Sequence, residues 1–177
     1  MANQRLTDKT ALEEQTGSGD LYMIVDVSDS TGSAAGTSKK LDSKYVIQTD
    51  KFSLNNTEVQ ALNVTAKTLV GALSGYMITP IICTLLITYA SGTESSNNNL
   101  YLGYDSTQIL AYWDSGSRFY GGLTDDRTFI FSGGSPTIKG VIAGSTLNKP
   151  FKMWSNGAFN GGWSCDVYLT YAYTKVL

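Results

Sequence analysis

The chain contains no histidine. That removes the side chain that titrates nearest neutrality. With it go the common general base, the Ser-His and Cys-His nucleophile pairs, and most zinc and non-haem iron sites. Cysteine is nearly absent too, with only Cys83 and Cys165. Two thiols cannot supply a four-thiolate metal site or a disulfide scaffold. Both fall at apolar positions of strand-like segments, so they are expected to be buried free thiols. Charge is sparse: 13 basic and 15 acidic residues leave a net charge of −2. No basic run exceeds two residues, which leaves nucleic acid without an electrostatic footprint. The longest apolar stretch, around Ile81, is too short to span a bilayer as a helix, and the opening MANQRLTDKT lacks an apolar signal core. The expectation is a protein that is not an enzyme, with no catalytic, metal or cofactor-binding residues and no nucleic-acid or membrane partner.

Large apolar side chains are scarce at the front. Val, Ile, Leu, Met, Phe, Trp and Tyr number 21 in residues 1–75 and 39 in the remainder. Tyr22, Tyr45 and Phe52 are the only aromatics of that first part. Ordering backbone costs on the order of 1–2 kcal/mol per residue, so a poorly stocked segment needs a partner surface or stays mobile. Residues 1–19, anchored only by Leu6 and Leu12, are expected to be an extended or briefly helical arm. The run DLYMIVDV from Asp20 predicts a strand. Ser28 to Lys39 holds no large apolar residue and predicts a loop, with Thr37 to Leu41 returning as a second strand. Asp42 or Ser43 is placed to cap a short helix through Gln48. Asn55 and Glu58 have capping-box spacing for another short helix, and Thr65 to Val70 reads as a strand.

The clearest pattern is SCDVYLTYAYT, Ser164 to Thr174. Cys165, Val167, Leu169, Tyr171 and Tyr173 alternate with Asp166, Tyr168, Thr170, Ala172 and Thr174. That is a half-buried strand held for five repeats. Its expected counterpart places Ile81, Cys83, Leu85, Ile87 and Tyr89 on one face. Ile82, Thr84, Leu86 and Thr88 form the other, which is half apolar and open to cover by another copy of the chain. Further strands are expected near Met77–Tyr89, Leu100–Gly103, Ile109–Trp113, Thr128–Phe131, Ile138–Ala143 and Phe151–Trp154, separated by Gly-rich turns. The fold class this predicts is mainly β. An N-terminal anchor with strand-loop-strand and a short helix (1–50) and a neck with a short helix (51–75) lead to a distal antiparallel β-sandwich, jelly-roll-like, over 76–177.

Few residues look chemical. The Gly pairs at 121–122, 133–134 and 161–162 precede no helix and no Lys-Ser or Lys-Thr, so hairpin turns explain them better than phosphate loops. Asp125, Asp126 and Arg127 read as a solvated turn. The DVSDSTG run from Asp26 has faintly calcium-like spacing without the closing Glu. Asn55 and Asn63 begin Asn-x-Thr triplets, which mean little without a secretion signal. A glycan depolymerase would need two carboxylates in a groove, drawn from Asp105, Asp114, Asp125, Asp126 or Glu94. Tyr101, Tyr104, Tyr112, Trp113, Trp154 and Trp163 are candidates for sugar stacking or interfaces, with core packing the simpler reading for most.

Two stretches carry a resemblance. LTDKTALEEQTGSGDLYMIVDVSDSTGSAAGTSKKL resembles the N-terminal module of tailed-bacteriophage fibre proteins. There an apolar strand, an Asp-Val-Ser-Asp-like turn and a Gly/Ala/Thr loop lead to a Thr-x-Lys-Lys strand. LNNTEVQALNVTAKTLVGAL and the later LYLGYDST are similar to phage virion proteins with a C-terminal β-sandwich. The group commonly carries prolines around the Leu-Val strand, where this chain has Ala66-Lys67 and Gly71-Ala72. The resemblance implies a homotrimeric head fibre or capsid-decorating protein. Its N-terminal anchor would dock on a phage capsid protein, or on a tail or baseplate protein in the alternative receptor-binding role. It also implies location on the virion, at the capsid surface, after assembly in the host cytoplasm, with a host-surface glycan as a candidate ligand. The short chain without a long fibrous repeat favours head over tail.

Overall fold

The computed structural model describes residues 21–29, 31, 36–42, 45–104, 110–116, 122–133 and 146–176. The chain divides into two compact units, Met1–Tyr45 and Val46–Leu177. In the first, β1 (Leu21–Asp26) pairs antiparallel with β2 (Thr37–Asp42), from Leu21 opposite Asp42 to Asp26 opposite Thr37. Its turn is held by charge. The Lys39 ammonium lies 2.8 Å from Asp26 and 2.9 Å from Asp29. Asp26 accepts from the Ser28 N–H and hydroxyl, and Asp29 from those of Thr31. Lys39, then Ser28, hold the Asp26 carboxyl far below its ordinary range. The Thr31 hydroxyl, then Lys39, bring Asp29 down to about 2. The lysine thus supplies the positive charge at the Asp pair whose spacing was faintly calcium-like. The helix expected through Gln48 is replaced at its end by strand, since Gln48 opens β3.

Among the described residues the second unit is an eight-stranded sandwich. Its elements are β3 (Gln48–Leu54), α1 (Asn56–Gln60), β4 (Lys67–Val70), β5 (Tyr76–Ser91), β6 (Leu100–Tyr104), β7 (Ala111–Asp114), β8 (Arg127–Ser132), β9 (Phe151–Ser155) and β10 (Gly162–Lys175). One sheet runs β3-β10-β5-β8 and the other β4-β9-β6-β7. First therefore pairs with last, second with seventh, third with sixth and fourth with fifth. A single antiparallel ribbon rolled over in this way is a jelly roll. The break between the two compact units follows Tyr45, near the end expected for the anchor at residue 50. Residues 51–75 supply most of β3, α1 and β4, with Leu54, Val59, Leu62, Leu69 and Val70 in the core. Few apolar residues are needed there because each sits at an inward position. The strand expected at Ile138–Ala143 lies outside the described residues.

β10 is an inner strand of its sheet, between β3 and β5. Cys165, Val167, Leu169 and Tyr171 are buried, whereas Asp166, Tyr168, Thr170 and Ala172 are half-exposed. Val167 sits between Phe52 of β3 and Leu85 of β5. On β5 the period of two is interrupted. Pairing passes from Thr170 opposite Ile82 to Tyr171 opposite Pro80, leaving Ile81 as an extra residue in a bulge. Proline within a sheet belongs at such an irregularity, having no N–H to donate. Ile78 and Pro80 therefore join Cys83, Leu85 and Ile87 inside, and Ile81 is 40% exposed. This corrects the expected face, which counted Ile81 inward. From the second sheet, Leu100, Leu102, Tyr104, Trp113, Phe151 and Met153 complete the same core. The Tyr104 hydroxyl donates to the Ile78 carbonyl across the layers, and Trp113 packs 6.1 Å from Phe131. Gly103 is obligatory where β6 and β7 converge, because a Cβ there would lie 2.7 Å from the Ala111 Cα.

Two outcomes are expected. Leu85→Ala should lower the denaturation free energy by about 2–5 kcal/mol, while Ile81→Thr should change it by about 0.5 kcal/mol or less. Equal losses in a urea titration would refute the bulge. For the hairpin turn, both Asp carboxyls are depressed in the folded state. Their contribution is present above the unfolded carboxylate range near pH ~4 and is lost as pH falls toward the Asp29 value of about 2. NMR shifts of β1 and β2 should follow that loss, and Lys39→Met should weaken it.

Candidate functional site

In a rolled ribbon of this kind alternate connections meet at one end. Here these are the β3–β4 segment with α1, residues 92–99, residues 115–116 with 122–126, and residues 156–161. Gln48, which opens β3, pairs with Tyr171 late in β10, so β3 starts and β10 finishes toward the opposite end. The convergent end is bound together by side chains rich in amides. α1 starts with the predicted capping box: the Asn55 side chain accepts from the Glu58 N–H, and the Glu58 carboxylate accepts from the Asn55 N–H. The next residue, Asn56, donates to the carbonyls of Gly161 and Trp163 at 2.9 and 3.0 Å. Asn99 N–H donates to Asn156 Oδ1 at 2.7 Å, and the Asn98 amide donates to the Ala158 carbonyl at 2.7 Å. Ser95 N–H donates to Asn160 Oδ1, and the Asn160 amide returns a bond to the Ser95 hydroxyl, both at 3.0 Å.

Glu94 is the centre of this end and is fully buried. Its Oε2 accepts from the N–H of Asn160 at 3.0 Å, the N–H of Gly161 at 2.8 Å and the indole of Trp163 at 3.0 Å. Its Oε1 accepts from the N–H of Ser96 at 2.9 Å. Burial alone would push this carboxyl up. The donors from Ser96, Trp163 and Gly161 outweigh it and hold the group below its ordinary value. A carboxylate can accept this many donors, so the charge is stabilised by aimed dipoles rather than by a cation. The Glu94 backbone also donates to the Leu123 carbonyl, joining a third connection. The glycine at 161 follows from this packing, since a Cβ there would come within 2.9 Å of the Glu94 Cβ, whereas at Gly162 a Cβ would lie 2.0 Å from the Ser91 carbonyl oxygen.

The sequence candidates separate rather than converge. Tyr101, Tyr104, Trp113, Trp154 and Trp163 are all at most 5% exposed. Tyr101 and Trp154 stack on each other at 5.5 Å, and Tyr112, half-buried, stands edge-on to Trp113 at 5.0 Å. No ring face among these five buried residues is free for a sugar, so stacking on them is replaced by packing. Among the carboxylates, Asp114 accepts from the Gly116 N–H and Asp126 from the Tyr89 N–H, each at 2.8 Å. Asp125 is an exposed turn residue, and Asp105 lies outside the described residues. A cavity of ≈ 240 Å³ between α1 and β4 is lined by one carboxylate, Glu58, which pairs with Lys67 at 2.7 Å. Among the described residues no cluster of three or more His, Cys, Asp or Glu could hold a metal. Cys83 and Cys165 are free and buried, and burial pushes each thiol up to about 12. No protein-family profile matches the chain, and no curated protein matches it in sequence.

Sequence reasoning missed the role of Glu94, weighing it only as an acid. The usable signal was a lone acidic residue in a polar SGTESSNNN run, facing a Gly-Gly pair elsewhere. Glu94→Ala is expected to strand four buried or half-buried donors, each worth about 1–3 kcal/mol. The loss in a thermal or urea titration should exceed that of Asp125→Ala, which should stay within about 0.5 kcal/mol. Comparable effects would contradict a structural carboxylate.

Proposed function

We propose that the chain is a structural virion protein, a trimeric head fibre or capsid-decorating fibre. Its first unit would dock on the capsid and its sandwich would project as a host- or surface-adhesive head. One observation carries this reading. β1 exposes Met23 (64%), Val25 (58%), Tyr22 (37%) and Ile24 (38%), with Val27 beyond it at 79%. Alternate residues of a strand point to opposite sides, so β1 presents apolar side chains on both of its faces, whereas β2 contributes exposed Ser38, Lys39 and Lys40. A two-stranded ribbon is marginal in water unless something covers it. Docking on a larger assembly is the covering that the fibre reading supplies. The outer face of the β3-β10-β5-β8 sheet adds support for self-association. It presents Leu86 (38%) and Ile130 (63%) beside Ile82. Closed cyclic assembly buries such patches and shields open strand edges. Three weak contacts per trimer, multiplied over a particle, raise avidity by roughly 10²–10⁴.

The rigid amide-rich end, remote from where β3 starts, favours a second reading as a tail or baseplate receptor-binding protein. Particles lacking the chain separate the two. Head decoration predicts adsorption to host cells that is retained or only reduced, together with labelled subunit on the capsid of intact virions. Complete loss of adsorption with label at the tail would move the assignment to the tail. Virions carrying no labelled subunit would overturn both.

A further inference from the structure

The turn between β9 and β10 reads SNGAFNGG and holds two Asn-Gly pairs, Asn156-Gly157 and Asn160-Gly161. In such pairs the glycine amide nitrogen can attack the asparagine side-chain carbonyl. The absence of a Cβ on glycine leaves that approach open. The two pairs are chemically identical, yet the structure treats them differently. At the second, the attacking nitrogen is occupied, because Gly161 N–H donates to the buried Glu94 carboxylate at 2.8 Å. The electrophile is held as well. Asn160 is fixed through both side-chain atoms to Ser95, and its own N–H is also bound to Glu94. At the first pair Asn156 is exposed; its N–H donates to the Asn99 carbonyl at 3.3 Å, and among the described residues its side chain is held by a single bond, from Asn99 N–H to Oδ1. Gly157 N–H has no acceptor among the described residues, and the Asn156 amide nitrogen is free to leave.

We propose that Asn156 is a site of spontaneous deamidation and that Glu94 protects Asn160 from the same reaction. The Gly157 nitrogen gives its proton to solvent and forms a bond to Asn156 Cγ. The side-chain amide nitrogen departs with a proton as ammonia, closing a cyclic imide. Water then adds to either imide carbonyl and opens the ring to aspartate or isoaspartate. No electrons are transferred and water is the only co-reactant. The product adds a negative charge to the exposed end of the sandwich. In the isoaspartate form it also lengthens the backbone beside Asn98 and Asn99.

The test is peptide mapping by mass spectrometry of the full chain incubated at mildly alkaline pH. Folded protein should lose amide at Asn156 about tenfold or more faster than at Asn160, which reacts only after local opening. In concentrated urea the two rates should converge to within a few-fold, since both are Asn-Gly pairs. Glu94→Gln should raise the Asn160 rate and leave Asn156 unchanged. Equal rates in the folded chain, faster loss at Asn160, or a difference that persists in urea would each overturn the proposal.

Discussion

The alternation of β10 is the constraint on which the rest depends. Every second side chain from Cys165 to Tyr171 is buried, and the strand is hydrogen-bonded on both sides. A slip of one residue would put Asp166, Tyr168 and Thr170 into the core and expel Val167 and Leu169. Register is therefore fixed for β3 and β5 together. The outward set is itself matched across strands. Asp166 takes Lys51 at 2.8 Å and the Ser53 hydroxyl at 2.6 Å, and Thr170 meets Thr49 at 2.8 Å. Exposed pairs like these contribute little stability each, but they agree with the register that burial dictates.

From that strand the fold grows by pairing outward, and the jelly-roll order brings four connections to one end. The connections there send Val59, Leu62, Leu123 and Phe159 into the core, and hydrogen bonds fix their polar remainder. Glu94 does most of this, converting a desolvated charge, ordinarily unfavourable, into a stable hub by collecting donors from two separate connections. The same bonds give neighbouring asparagines different chemical fates. Among the described residues the first unit has no comparable anchor. Its turn is a lysine between two aspartates, and its apolar strand leaves Met23, Val25 and Val27 exposed.

Much of this was legible in the residues. The period of two in 164–174 identifies the inner strand β10, the Asn55–Glu58 spacing identifies the start of α1, and strands β6, β8 and β9 fall within a residue or two of expectation. What escaped has physical causes. A bulge is invisible to a strict alternation count, and Pro80 was the only hint that the parity of β5 would shift at Ile81. β3 is an edge strand with polar outward residues, so QTDKFSL looked like linker until its pairing with β10 was known. The aromatics were easy to overvalue, because residue type does not reveal which side of a strand faces the partner sheet. Glu94 owes its role to Asn160, Gly161 and Trp163, which are remote in sequence and join it only when β5 and β10 pair.

The central claim is that a self-supporting sandwich organised by β10 follows a ribbon that cannot support itself. Residue-resolved hydrogen exchange on the isolated full-length chain tests this most directly. Amides of β5 and β10 between Cys83 and Leu169 should be the slowest in the protein, and those of β1 and β2 should exchange close to the rate of an unfolded peptide. Protection of β1 and β2 equal to that of β10 in a monomeric sample would contradict the account.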